Sequence, residues 1–118
     1  MSKRHDSSYL MDILSSSQKI EIIVREKTFA EFEADFQSPL ATARLFEIIG
    51  EATKNVSEDV KSQYPDVPWK KMAGLRDVLI HRYQDTNERR LFDISKTEIP
   101  SLIQNIKKIM AEIQAKED

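Results

Sequence analysis

Two turns of chain, Leu75-Arg76-Asp77-Val78-Leu79-Ile80-His81-Arg82-Tyr83, gather an arginine, a carboxylate, a histidine and a tyrosine. No other stretch of the sequence does so. Of the two histidines, His5 stands in the polar start and His81 in this segment. Read as helix, with about 100° per residue, Asp77 and His81 are four apart and share a face within hydrogen-bonding reach. Tyr83 follows Arg76 by about two turns, nearly in line with it. His81 falls roughly 140° round from Arg76, so one helix does not easily aim both at the same atom. A second helix, from another copy of the chain, could bring a matching arginine and histidine across a cleft.

These groups suit phosphodiester cleavage of RNA. Histidine titrates near neutral pH, and can take a proton from a 2′-hydroxyl or return one to the leaving oxygen. The arginine fork binds phosphate oxygens in pairs and stabilises charge building on them. Asp77 could hold the histidine tautomer. One histidine with one carboxylate is too few ligands for zinc or a two-metal nuclease, so the expected site holds no metal and needs no cofactor. Lys70, Lys71, Arg82, Arg89 and Arg90 form a local basic cluster that could hold an RNA backbone. On residue types alone, an ion pair on a solvated helix face and surface charge kept for solubility explain the same pattern. Tyr83, ending an apolar stripe, also reads as a core residue with its hydroxyl at the surface.

The rest of the chain must place that segment. A length of 118 residues is one domain, 1–118, with a modest core whose margin pairing would widen. Hydrophobic residues at 40% and charged residues at 32% describe a soluble globular chain and exclude a disordered one. A net charge of −2 gives no global steering toward nucleic acid, so any RNA contact must be local. The absence of cysteine excludes disulfides and thiolate metal sites and makes the reducing cytoplasm the default compartment. No apolar run approaches the roughly 20 residues needed to cross a bilayer, and the start shows no signal-peptide pattern.

Apolar residues recur at helical spacing, and no strand-period run of useful length occurs. A first helix is expected from about Ser7 to Lys27, with Tyr9, Ile13, Ile20, Ile23 and Val24 on one face and the run Ser15-Ser16-Ser17 interrupting it. Thr28 and Glu31 read as a capping box opening a short helix with Phe29, Phe32 and Phe36. Ser38-Pro39 is expected to cap and open a second long helix to about Val56. Its stripe is Leu40, Ala43, Phe46, Ile49 and Gly50, widened by Leu45, Ile48 and Ala52. Ser57 opens a short helix ending near Tyr64. Pro65-Asp66-Val67-Pro68-Trp69 is the clearest break. A third helix, about Pro68 to Tyr83, carries the motif and buries Met72, Leu75, Leu79 and Tyr83. A short helix through Leu91, Phe92 and Ile94 follows. The last helix opens at Thr97-Glu98-Ile99-Pro100 and buries Leu102, Ile106, Ile109 and Ile113. The expected architecture is all-α, an up-and-down bundle of four main helices plus short ones.

The segment Arg76 to Tyr83 resembles the R-x4-H-x-Y motif of HepT-like proteins in the HEPN superfamily. Three further stretches match the same family: Tyr9-Leu10-Met11-Asp12-Ile13, Ile48-Ile49-Gly50-Glu51-Ala52 and Tyr64-Pro65-Asp66-Val67-Pro68-Trp69. The likeness runs from about Asp6 to Ile113. It implies a HEPN-like bundle that forms a homodimer through the motif-bearing helices. It also implies a metal-independent ribonuclease toxin, with tRNA among its candidate substrates, whose composite cleft takes Arg76 and His81 from each copy and includes Asp77. The implied partner is a minimal nucleotidyltransferase antitoxin of the MntA type, which transfers AMP from ATP to the tyrosine that maps onto Tyr83. Gln84 stands where the common pattern has an aromatic. Two other readings use the same residues: a helical adaptor that binds a nucleotide or the nucleotidyltransferase and cuts nothing, and a purely structural dimer.

Overall fold

A computed structural model describes residues 5–74 and 88–117 of the chain. Among them every regular element is a helix and none is a strand. Three helices of 19 residues frame the bundle: α1 (Asp6–Val24), α3 (Gln37–Asn55) and α7 (Ile99–Glu117). Shorter ones join them: α2 (Phe29–Ala34), α4 (Glu58–Gln63), α5 (helical over 69–74) and α6 (Glu88–Thr97).

The antiparallel pair α1 and α3 is the centre of the core. The start of α1 is tied to the end of α3: both oxygens of Asp6 accept from Ser57, one from its amide at 2.8 Å and one from its hydroxyl at 2.7 Å. Leu10, Ile13, Ile20 and Val24 of α1 meet Phe46, Ile49 and Ala52 of α3 in one apolar cluster. Ile99, Leu102, Ile103, Ile106 and Ile109 of α7 close it from a third side. The serine run of α1 does not break the helix; Ser16 and Ser17 are buried there. Small side chains let helix backbones approach, which explains a serine where hydropathy alone would put leucine. The buried Thr53 and Ser95 hydroxyls donate to the carbonyls one turn back, Ile49 and Leu91, each at 2.7 Å.

Local signals set most boundaries. Thr28 and Glu31 form the expected capping box: the Thr28 amide donates to the Glu31 carboxylate at 2.9 Å, and the Glu31 amide donates to the Thr28 hydroxyl at 3.2 Å. That amide bond, ahead of the hydroxyl's, holds the Glu31 carboxyl below its ordinary range. Ser57 caps α4 through its hydroxyl, which accepts from the Val60 amide. Pro100 sits in the first turn of α7, where its missing amide costs nothing.

Four further expectations are corrected. The first helix stops at Val24 and not Lys27, because Glu26 takes the left-handed conformation (φ 61°) and turns the chain toward Thr28. Ser38 does not cap the second long helix: it lies inside the first turn of α3, and Asp35 does the capping work. One Asp35 oxygen accepts from the Gln37 amide at 3.2 Å and the other from the Ser38 hydroxyl at 2.6 Å, the Ser38 bond contributing most to holding that carboxyl low. Phe36 lies beyond the end of α2 and is 72% exposed. Leu40 is 67% exposed and is no part of the buried stripe, because Thr42, Phe46, Ile49 and Thr53 define the inward face of α3.

Phe46 of α3 has no exposed surface and belongs to the apolar cluster. Phe46→Ala is expected to cost about 3–5 kcal/mol of stability, the scale of a large-to-small change in a closed core. Urea denaturation followed by circular dichroism checks it; a loss below about 1 kcal/mol would mean that the site collapses or is not core.

Candidate active site

Residues 75–87, and with them Arg76, Asp77, His81, Arg82 and Tyr83, lie outside the described residues. The described chain gives the two ends from which that segment is hung, α5 and α6.

The root of α5 is built by the proline–tryptophan break. Trp69 is 8% exposed, and its indole N–H donates to the Tyr64 carbonyl at 2.9 Å. The same carbonyl accepts from the Val67 amide at 3.2 Å, and the Trp69 amide donates to the Val67 carbonyl at 2.8 Å. The Tyr64 hydroxyl donates to the Glu112 carboxylate on α7. Beside it the Lys116 ammonium donates to the Gln63 side chain at 3.4 Å. Met72, one turn into α5, is buried, and its amide donates to the Pro68 carbonyl at 3.0 Å. A small apolar cavity of about 40 Å³ lies beneath, between Phe46, Ile49, Met72, Ile94 and Leu102.

The basic cluster divides. Lys70 is exposed on α5. Lys71 donates to Glu98, between α6 and α7, at 2.5 Å; both side chains are well solvated, so the pair contributes no more than about 1 kcal/mol. Arg89 pairs with Asp93 one turn on at 3.2 Å, and its guanidinium lies 4.9 Å above the Phe29 ring. Phe29 in turn meets Phe92 edge-on at 5.8 Å. Arg90 is exposed beside it.

Two stretches that carry the family resemblance meet in space. Tyr9 and Asp12 of α1 line a groove of about 430 Å³ with Ile48, Glu51 and Ala52 of α3. Arg44, Glu47 and Asn55 complete it, and none of these three was singled out in the sequence. Their spacing on α3 carries the signal: Arg44, Glu47, Glu51 and Asn55 recur at three- and four-residue steps. Arg44 donates to Glu47 at 3.3 Å. Among the described residues no three His, Asp or Glu side chains are placed to hold a metal ion, and no helix is long and apolar enough to cross a membrane.

The described residues form an all-helical bundle in which a proline–tryptophan corner directly precedes the Arg76–Tyr83 stretch in sequence. Residues 13–109 match the family described as Ribonuclease HepT-like, and the chain belongs to that family. A protein of Methanocaldococcus jannaschii, named as a candidate RNase, is 39% identical over all of this chain and 98% of its own. A protein of Thermococcus cleftensis, named "Probable ribonuclease HepT", is 43% identical over 85% of this chain and 91% of its own. A further candidate RNase, from Caldanaerobacter subterraneus, is 37% identical over 86% of this chain and 91% of its own. No solved structure matches.

Two measurements follow from the α5 root. Gly74 has an ordinary backbone, and a Cβ built there meets nothing within 4 Å among the described residues. Gly74→Ala is therefore expected to raise stability by about 0.5–1 kcal/mol, read from the urea midpoint; a loss would reveal a neighbour that the space excludes. The Glu112 bond, then burial and the carboxylate's charge, push the Tyr64 phenol above its ordinary value. Because the folded value is the higher one, the bond's stabilisation is present below the unfolded value of about 10 and is lost as pH rises through the folded one. Thermal midpoints of wild type and Tyr64→Phe should converge in that alkaline window; parallel curves through it would contradict the bond.

Proposed function

We propose that the protein is a metal-independent endoribonuclease toxin acting as a homodimer, in which Arg76 and His81 of each copy share one cleft. The observation that carries the reading is the ordered set Arg76, Asp77, His81, Tyr83 inside the span that matches a ribonuclease family. The helical wheel supplies the reason for two copies. With arginine and histidine roughly 140° apart on one helix, each copy offers one flank of a site.

In this reading His81 of one copy takes the proton from a ribose 2′-hydroxyl. The 2′-oxygen attacks the adjacent phosphorus and the bond to the 5′-oxygen breaks. That oxygen leaves with a proton from the other copy's His81, giving a 2′,3′-cyclic phosphate and a 5′-hydroxyl. The two Arg76 forks hold the non-bridging oxygens as their charge grows. Asp77 orients His81. Lys70, Lys71, Arg82, Arg89 and Arg90 steer the RNA backbone, Lys71 and Arg89 by exchanging the exposed carboxylates of Glu98 and Asp93 for phosphate.

Control runs through Tyr83. A nucleotidyltransferase partner attaches AMP there: the phenol oxygen attacks the α-phosphorus of ATP and pyrophosphate leaves. The new phosphate competes with RNA for Arg76, and the adenosine fills the cleft.

Purified dimer in EDTA should cut RNA and leave cyclic-phosphate ends. His81→Ala and Arg76→Ala should each lower cutting by at least about 100-fold with the circular dichroism spectrum unchanged. Cutting that persists in His81→Ala would overturn the mechanism. RNA left intact by unmodified wild type, together with tight binding of the nucleotidyltransferase, would favour the adaptor.

A further inference from the structure

We infer that the outward face of α3, from Phe36 to Asn55, is a docking surface for a basic amphipathic helix of another protein, whose apolar side chains sit on Phe36 and Leu40 and whose cations enter the groove between α1 and α3. The inference goes beyond the site just proposed and stands whether or not the chain cuts RNA.

The face is one unbroken stripe. Phe36, Leu40, Arg44, Glu47, Glu51 and Asn55 follow one another at three- and four-residue steps. Phe36 is the N-cap of α3 but keeps a helical backbone, so it stands one turn before Leu40 on the same side. The two are 72% and 67% exposed. Apolar side chains exposed singly are ordinary; two stacked one turn apart make a patch that the chain itself leaves to solvent. The polar members of the stripe line the groove of about 430 Å³ with Tyr9 and Asp12 of α1. From Phe36 to Asn55 the stripe is about 28 Å long, enough to seat a helix of about five turns.

Charge selects the occupant. The chain from Glu21 to Asp35, which ends beside Phe36, holds five carboxylates against Arg25 and Lys27. Both cations are already engaged: Arg25 with Glu21 at 3.7 Å, and Lys27 with Ser38 at 3.0 Å and Asp35 at 4.0 Å. The groove repeats the imbalance, with Asp12, Glu47 and Glu51 against Arg44, whose guanidinium donates to Glu47 at 3.3 Å. Among the described residues the face is therefore apolar at one end and acidic along its length. RNA phosphates and anionic lipid are repelled by it. A second copy would set the same acidic face against itself. A cationic helix with apolar anchors gains at both ends, by covering Phe36 and Leu40 and by bringing lysine or arginine to the carboxylates. Leu40 and Glu51 stand about 16 Å apart along the axis, which sets the spacing of anchor and cation in the partner.

The experiment uses the full-length protein and two labelled peptides of about 18 residues, matched to the length of the face. One is an amphipathic helix of leucine and lysine; the other has glutamate in place of lysine. In fluorescence anisotropy the leucine–lysine peptide should bind at least about 10-fold tighter, with the difference shrinking at high salt. In NMR spectra it should shift the amide signals of Leu40, Arg44, Glu47 and Glu51 and leave those of Lys107 and Lys108, exposed on α7, in place. Phe36→Ser and Leu40→Ser should each weaken binding by about 10-fold, and Glu47→Lys by about 5-fold, with the circular dichroism spectrum unchanged. Ile22→Ser, at an exposed apolar residue of α1, should bind as wild type does. Equal affinity for the two peptides, shifts centred elsewhere, or an equal loss in Ile22→Ser would each overturn the inference. So would a smaller oligomer of Phe36→Ser in sedimentation, which assigns the face to a second copy, or loss of phosphatidylserine-vesicle binding in that variant, which assigns it to a membrane.

Discussion

The close packing of α1 on α3 is the constraint from which the rest follows. Two 19-residue helices run antiparallel, tied at one end by Asp6 and Ser57. Their contact buries Ser16, Ser17, Thr42 and Thr53 among Leu10, Ile13, Phe46 and Ile49. The hydroxyls of Ser17 and Thr42 have no hydrogen-bond partner among the described residues, a cost that the close approach must offset. The apolar residues of α7 join the same cluster, packing mainly against α1. The far end of α7 is then held where Glu112 and Lys116 meet Tyr64 and Gln63. The root of α5 is fixed against an element that the α1–α3 pair has itself fixed.

Much of this was legible in the sequence, and the reason is locality. The Thr28–Glu31 box, the Ser57 cap, the break at Pro65–Trp69 and the start of α7 at Pro100 depend on residues within four positions of one another. The misreadings are where a local rule had two claimants. Ser38 and Asp35 both suit the start of α3; Asp35 wins because one carboxylate accepts from the Gln37 amide and the Ser38 hydroxyl together. Leu40 extends the periodic stripe on paper, yet only packing decides which edge of a wide stripe faces inward, and the solvent took Leu40. The serine run was misread as an interruption for the opposite reason: hydropathy does not register that a small side chain can be a good core residue between close helices.

The site was legible as chemistry more than as geometry. Residue types and spacing mark Arg76, Asp77, His81 and Tyr83, and the wheel separates Arg76 from His81. Nothing local tells that Lys71 reaches Glu98, 27 positions away, or that Tyr64 reaches Glu112, 48 positions away. The Arg89–Asp93 pair, by contrast, is an i,i+4 contact that spacing alone allows. The same division holds for the groove between α1 and α3. Its two sides carry Tyr9 and Asp12, and Ile48 to Ala52, which the resemblance marks as separate stretches and the fold makes neighbours.

A chain of this size faces a particular difficulty in making a cleft. Among the described residues the apolar side chains are spent on one core around α1, α3 and α7. In the proposed reading the second wall is another copy, and this changes what the scaffold must supply. It need not hold arginine and histidine at a fixed distance within one chain. It must let two identical halves meet in register, and what the described residues contribute is the corner before the motif, built by Pro65, Pro68 and the Trp69 bond to the Tyr64 carbonyl. On that reading, the position of the sequence's strongest break, directly before its most chemically loaded segment, suits a chain that supplies half a site.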